Sequence, residues 1–355
     1  MNRKLFTVGP VNVEPEILEA MTRPMITHRS KEYKQLHGSI VEKVRKALDT
    51  DMDVFMVGGS ASSMIEGAMR NGISKKSLGI TGGSFGDRSI EIAELNGKTV
   101  EKVEVPFGKG ILPEHIEGKI AYDIEAVHWV SNESSTGVFS DSTAIADEVR
   151  RQSSDALVII DAVTSAFAMD LDMKKLEPDA LVFGTQKALA LPPGLGMMVC
   201  SERLMEKAAA VKDRGFYTDL LKIKKQNDVN YALTTPPVSL MYALELQMER
   251  MLKEGMSARY RRHKEMADMV GRWSEKLYGM FPDEDVRSNT ISVLNRGDLD
   301  FDSFHNALKS KGYEISNGYG GVKDKTFRIG HMGDLTPARV KELLNVMDEI
   351  IEERK

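Results

Sequence analysis

One lysine stands apart in the stretch Leu181-Val-Phe-Gly-Thr-Gln-Lys187-Ala-Leu-Ala-Leu-Pro-Pro-Gly-Leu-Gly, after an apolar run and before a proline–glycine segment without charge. Such surroundings half-bury the ammonium, and desolvation lowers the pKa of a buried lysine. An amine tuned this way can form a Schiff base with an aldehyde cofactor. A lysine snorkelling from a strand end fits the same segment. Upstream, Ala156-Leu-Val-Ile-Ile-Asp161 ends an apolar run in a carboxylate. At the end of a strand in an open α/β sheet, that carboxylate faces a ligand crevice. It could hold a metal, cap the next turn, or pair with a protonated ring nitrogen. Arg328 follows the glycine-rich Gly318-Tyr-Gly-Gly in the strand-like Phe327-Arg-Ile-Gly. Its guanidinium fork suits a carboxylate bidentately, and a surface arginine on an edge strand is the other reading.

Two glycine-bearing segments add to these groups. Gly58-Gly-Ser60-Ala61-Ser-Ser opens a helical stretch after an apolar run, where small residues let backbone N–H groups approach a phosphate. Glycines at a strand-to-helix turn also arise for geometric reasons alone. The segment is not a Walker A loop, and the one Gly-Lys-Thr, at Gly97, has Ile92 where that motif needs its first glycine. In Thr81-Gly-Gly-Ser-Phe85-Gly-Asp an aromatic sits in a glycine-rich loop, either packed in a core or facing a flat ligand.

Short β-type runs alternate with amphipathic helical stretches over the first two thirds, which predicts an α/β fold with a largely parallel sheet. Strands are expected at 54–57, 78–80, 100–105, 126–131, 156–161, 180–184 and 196–200. From Pro236 to Tyr278 the pattern is helical, and strands return at 290–294 and 326–329. The last helix is signalled by Thr336 as cap and Pro337 at its first position, with Val340, Leu343, Leu344, Met347, Ile350 and Ile351 on one face. These patterns imply a large ligand-binding domain over 15–250 and a smaller α+β domain built from 1–14 and 251–355.

A chain of 355 residues suits about two domains. The net charge of −5 offers no long-range attraction to a phosphate backbone, so nucleic acid is not the expected partner. One cysteine, Cys200, excludes an internal disulfide and a multi-cysteine zinc or iron–sulfur site, and no metal is expected. The amino terminus lacks a signal peptide's apolar stretch, and the longest mostly apolar run, Ala188 to Cys200, is too short for a span of about 20 residues. A cytoplasmic protein without a membrane segment is the expectation.

Asp161-Ala-Val-Thr-Ser followed by Gly-Thr-Gln-Lys187-Ala-Leu and Pro-Pro-Gly resembles the class V aminotransferases of fold type I. Thr7-Val-Gly-Pro-Val-Asn-Val, Pro24-Met-Ile-Thr-His-Arg-Ser, Asn132-Glu-Ser-Ser-Thr-Gly, Thr235-Pro-Pro-Val-Ser-Leu and Phe327-Arg-Ile-Gly-His-Met-Gly keep the family's order. Within that family the chain looks closest to the alanine–glyoxylate, serine–glyoxylate and serine–pyruvate enzymes. The resemblance implies pyridoxal 5'-phosphate, carried by Lys187 as a Schiff base, with Asp161 on the pyridinium nitrogen to keep the ring an electron sink. It implies Ser60 and Ala61 at the phosphate, Phe85 and Val163 on the two ring faces, Ser134 on the phenolic oxygen and Gln186 beside the lysine. It also implies Arg328 on the substrate carboxylate, His28 near the substrate, and Thr235 reaching the phosphate from a neighbouring subunit, hence a homodimer. Tyr231 lies near a family tyrosine at a spacing that differs by one residue.

The implied reaction moves an amino group from a small L-amino acid, alanine or serine, to a 2-oxo acid such as glyoxylate or pyruvate. Phosphoserine aminotransferase is the alternative, because His28-Arg-Ser-Lys-Glu-Tyr33 resembles a stretch in those enzymes, with phosphonopyruvate-type transamination behind it. A phosphate-bearing substrate needs extra cations, which His28 and Arg29 could supply or which could merely pin a loop. A desulfurase would need a mobile nucleophilic cysteine, whereas Cys200 closes an apolar strand. A noncatalytic scaffold would not require both the lysine and a carboxylate clamp.

Overall fold

The computed structural model of the protein describes residues 3–353; the outermost residues of the expected small domain, 1–2 and 354–355, lie outside it. In chain order the strands are β1 (Lys4–Phe6), β2 (Asp53–Gly58), β3 (Lys76–Thr81), β4 (Thr99–Glu104), β5 (Ala126–Val130), β6 (Asn132–Glu133), β7 (Val138–Phe139), β8 (Leu157–Asp161), β9 (Ala180–Gly184), β10 (Leu195–Cys200), β11 (Ile291–Asn295), β12 (Tyr313–Asn317) and β13 (Thr326–Gly330). Seven form a sheet in the order β2-β10-β9-β8-β5-β3-β4. All neighbours run parallel except β10, which is antiparallel to both β2 and β9. The sheet is therefore mixed and mostly parallel, as the alternating pattern predicts.

Period-two alternation sends successive side chains of each strand to opposite faces. Val158, Ile160, Leu181, Phe183 and Met197 join one core, beneath helices Lys31–Leu48 and Val238–Glu254. Leu157, Ile159, Ala180, Val182 and Met198 join another, beneath helices Ala61–Gly72 and Glu202–Ala210. Covering on both faces explains why β8, β9 and β10 carry no polar residue except Asp161, which ends β8.

A second sheet, in the order β1-β12-β13-β11, carries helices Met256–Ser274, Phe301–Ser310 and Pro337–Glu352 on a separate core around Phe304, Phe327, Ile329 and Leu343. The last helix starts as its sequence dictates: Thr336 caps it, its side chain accepting from the Arg339 N–H, and Pro337 follows. The strands β1 and β12 escape the sequence reading, since β1 has only three residues and the alternation in YEISN includes only two apolar residues. A seam of Val8, Val11, Ala190, Ile291, Val293 and Met332 joins the two sheets beside the turn that bears Lys187. Among the described residues no helix is long and apolar enough to cross a membrane.

Candidate active site

A cavity of about 250 Å³ opens at the carboxyl ends of the parallel strands, where register brings Val130, Asp161 and Val182 side by side. Its wall brings together Ser60, Ala61, Phe85, Ser134, Asp161, Val163, Gln186 and Lys187 from separated stretches of chain. Two larger surface grooves, of about 680 and 740 Å³, lie near Lys4 and Asp49 and contain none of these residues.

Lys187 sits in the turn after β9. The turn is fixed by Thr185 Oγ1 donating to the Pro192 carbonyl at 2.8 Å, and by Arg259 donating to the Ala188 carbonyl at 2.6 Å. The lysine Nζ donates to the Val8 carbonyl, and a Cβ on Gly9 would lie 2.7 Å from Lys187 Cδ. The amino-terminal segment therefore closes directly over the lysine. Burial pulls the ammonium down to about 8; the nearby Arg328 and Arg88 guanidiniums add to that and Asp161 opposes it. Asp161, at the end of β8, accepts from the Val163 N–H at 2.9 Å. Burial pushes its carboxyl up to about 6, with a further push from the Glu133 carboxylate. Burial thus draws the pKa values of an amine and a carboxyl toward each other around one cavity, the amine down and the carboxyl up.

Ser60 precedes helix Ala61–Gly72 but its side chain makes no cap bond, which leaves hydroxyl and helix amino terminus facing the cavity. A Cβ on Gly196 would lie 2.5 Å from the Ser60 carbonyl, so only glycine lets this turn settle on β10. The buried oxygens Gln186 Oε1 and Asn132 Oδ1 have no hydrogen-bond partner among the described residues, and both side chains line the cavity. Buried polar groups are rarely left so, and a bound molecule with donors would satisfy them.

Phe85 is in the cavity wall, not in a core, and its backbone is held by Glu133. One carboxylate oxygen accepts from the Phe85 and Gly86 N–H groups at 3.0 Å each; the other accepts from Ser135 N and Ser135 Oγ at 3.0 and 2.6 Å. Burial pushes the Glu133 carboxyl up, while these four donors favour the charge. Arg88, one turn beyond Phe85 on the same helix face, also lines the cavity, with its guanidinium 4.8 Å from the Phe85 ring.

Arg328, on β13, lies outside the cavity wall but adjoins it. Its Nη1 donates to the Ser134 carbonyl at 3.1 Å and its Nε to the Asn317 carbonyl at 2.8 Å. It is 8% exposed, and burial lowers its pKa to about 10. Three expected residues are not brought to the cavity of their own chain. The His28 ring packs edge-on against Tyr33 at 6.5 Å, so its expected place beside the substrate is not realised within one chain. Thr235 is exposed in the segment before helix Val238–Glu254, and Tyr231 stacks on Tyr33. Cys200 is buried and free, and burial raises its thiol well above the ordinary value, as expected of an inert thiol.

The sequence reading did not single out Arg88, Glu133 or Tyr319. Arg88 could have been found from its position three residues after Phe85. Glu133 lies inside the motif at Asn132, but nothing local shows that its carboxylate reaches across to the backbone at Phe85. Tyr319 comes from the other sheet's loop, and only the fold brings it near.

Residues 19–328 match the aminotransferase class-V family, and the chain belongs to that family. It is 31% identical to an L-aspartate–glyoxylate aminotransferase of Paracoccus denitrificans over 94% of this chain and 87% of that protein. To a serine–glyoxylate aminotransferase of Methylorubrum extorquens it is 29% identical, over 93% and 86%. Solved structures of an aspartate aminotransferase from Thermus thermophilus and a phosphoserine aminotransferase from Cytophaga hutchinsonii each superpose with a TM-score of 0.91, at 26% identity over 98% of this chain and 99% of theirs. The protein is a pyridoxal-phosphate-dependent transferase of amino groups with the fold type I architecture. The cavity fits that cofactor: a free helix amino terminus for a phosphate, unsatisfied polar atoms, an aromatic wall, a buried carboxylate and a lysine shifted toward the neutral amine.

Proposed function

We propose that this enzyme moves the amino group of a small L-amino acid, alanine or serine, to a 2-oxo acid such as glyoxylate or pyruvate. The observation that carries the reading is the convergence of Lys187 and Asp161 in one cavity with the buried Arg328 adjoining it through Ser134. Glyoxylate as acceptor is supported by the two relatives, which are glyoxylate aminotransferases of aspartate and of serine. Residues 15–250 serve as the cofactor-binding domain, and 1–14 with 251–355 as the small domain that contributes Arg328.

Pyridoxal phosphate, when bound, supplies an aldehyde that takes up the amino group and a ring that accepts electrons from the substrate Cα. Lys187, whose burial enlarges the fraction of neutral amine, would hold that aldehyde at rest. Once free of it, its Nζ would serve as the base that takes and carries the proton of the substrate Cα. Asp161, at the floor of the cavity, would pair with the protonated ring nitrogen. Ser60 and the N–H groups at Ala61 orient the phosphate, with Thr235 of a second copy completing the cradle in a homodimer. Phe85 and Val163 flank the ring, and Ser134 and Gln186 supply polar contacts near the lysine. Arg328 receives the substrate carboxylate. A cytoplasmic setting suits these soluble substrates.

One observation favours a second reading, with phosphoserine or a phosphonopyruvate-type substrate: Arg88 lines the cavity and has no carboxylate within 4.0 Å among the described residues. Against it, Arg29 is turned to the Ala232 carbonyl and His28 to Tyr33. Assay of the purified enzyme with alanine, serine and phosphoserine as donors separates the two. A preference for phosphoserine would overturn the first.

A further inference from the structure

Tyr319, 37% exposed, packs against two residues of the cavity wall, Phe85 and Arg88, from the side of the second sheet. It belongs to the loop after β12, yet its ring stacks on Phe85 with centroids 5.5 Å apart and planes 12° from parallel. Its hydroxyl accepts from Arg88 Nη2 at 2.9 Å, and the Arg328 guanidinium lies 5.3 Å from its centroid. One phenol thus touches the aromatic wall of the cofactor cavity and the arginine proposed to receive the substrate carboxylate.

The glycines around it fix that position. Gly320 has φ +57, and a Cβ there would lie 1.7 Å from Ser84 Oγ; a Cβ on Gly321 would lie 2.7 Å from the Phe107 ring. A Cβ on Gly318 would lie 2.4 Å from the Lys323 carbonyl. The loop backbone is therefore pressed onto the start of helix Ser84–Leu95, and in Gly318–Gly321 Tyr319 alone carries a side chain. Stacking, a hydrogen bond and a cation at its face all hold that ring in one place.

We infer that Tyr319 is the residue that sets substrate size, filling the space beside Arg328 and Phe85 so that only a short amino-acid side chain is accommodated. The inference rests on the transamination reading above. A substrate with its carboxylate on Arg328 and its amino group toward Lys187 must carry its side chain past this ring. Arg88 acts through Tyr319 as a positioning residue. Exclusion by a packed wall is graded, since one methylene changes kcat/KM by roughly 10–200-fold.

The test measures kcat/KM of the holoenzyme for L-alanine and L-leucine with one oxo acid, in the parent, Tyr319→Ala and Tyr319→Phe. Tyr319→Ala should raise the leucine-to-alanine ratio by about tenfold or more. Tyr319→Phe keeps the stack and should hold the ratio within about twofold. If Tyr319→Ala fails to retain the cofactor, Tyr319→Leu replaces it and should move the ratio in the same direction. An unmoved ratio, or an equal fall for both substrates, would reduce Tyr319 to packing and overturn the inference alone. A parent that uses neither alanine nor serine would sink the donor assignment and take this inference with it.

Discussion

At the scale of single residues, the chemistry depends on two groups, Lys187 and Asp161, whose pKa values burial displaces. Lys187 titrates at about 8, so the fraction of neutral amine rises with pH through 8 and then saturates. The capture rate of pyridoxal phosphate by apoenzyme, followed by absorbance, should climb up to about pH 8 and level off. An unperturbed lysine would keep gaining neutral amine toward about pH 10. Lys187→Ala should lower transamination by about 10²–10⁴-fold or more, because it removes the proton carrier, while the cofactor stays bound noncovalently. Arg328→Ala acts differently: losing a carboxylate clamp should raise KM for the amino acid and leave the cofactor's absorbance in place, which steady-state kinetics resolves.

At the scale of elements, Glu133 ties β6 to the start of helix Ser84–Leu95 by accepting two hydrogen bonds from it, with two more from Ser135 fixing the carboxylate, and so sets the position of Phe85. A glutamine there has one accepting oxygen, which leaves buried donors unpaired at a cost of about 1–3 kcal/mol. Glu133→Gln should lower the melting temperature and weaken cofactor binding together; unchanged values of both would remove Glu133 from the account. The elements that carry Lys187 and Asp161 were legible because β8 and β9 are apolar on both faces, β8 ending in Asp161 and β9 running into the turn that bears Lys187, a pattern visible in one dimension. Strand β10 was found in place, but its antiparallel direction was not, since period-two alternation carries no sense of direction. The helix at Pro337 was read correctly down to its cap because cap, proline and apolar stripe are all local signals.

At the scale of the whole molecule, the site exists because the amino-terminal segment and the second sheet return to the first. Val8 and Gly9 lie on Lys187, while Arg328 and Tyr319 come from β13 and the loop before it. Contacts between segments far apart in sequence leave no mark in local composition, which is why Tyr319 and the reach of Glu133 were not legible, and why the family resemblance was needed to favour the clamp role of Arg328. The same limit applies to Thr235, exposed here in a single chain. If it serves a neighbouring site, the enzyme should sediment as a dimer and Thr235→Ala should weaken cofactor binding without lowering monomer stability. A monomeric active species would contradict the shared cradle.

The central claim is that Lys187 carries pyridoxal phosphate and exchanges it with an amino donor, and absorbance of the purified enzyme tests it most directly. The band of the lysine-linked cofactor should collapse on addition of L-alanine or L-serine, return on addition of glyoxylate or pyruvate, and be absent in Lys187→Ala. A band that ignores every donor, or that persists unchanged in Lys187→Ala, would contradict the account.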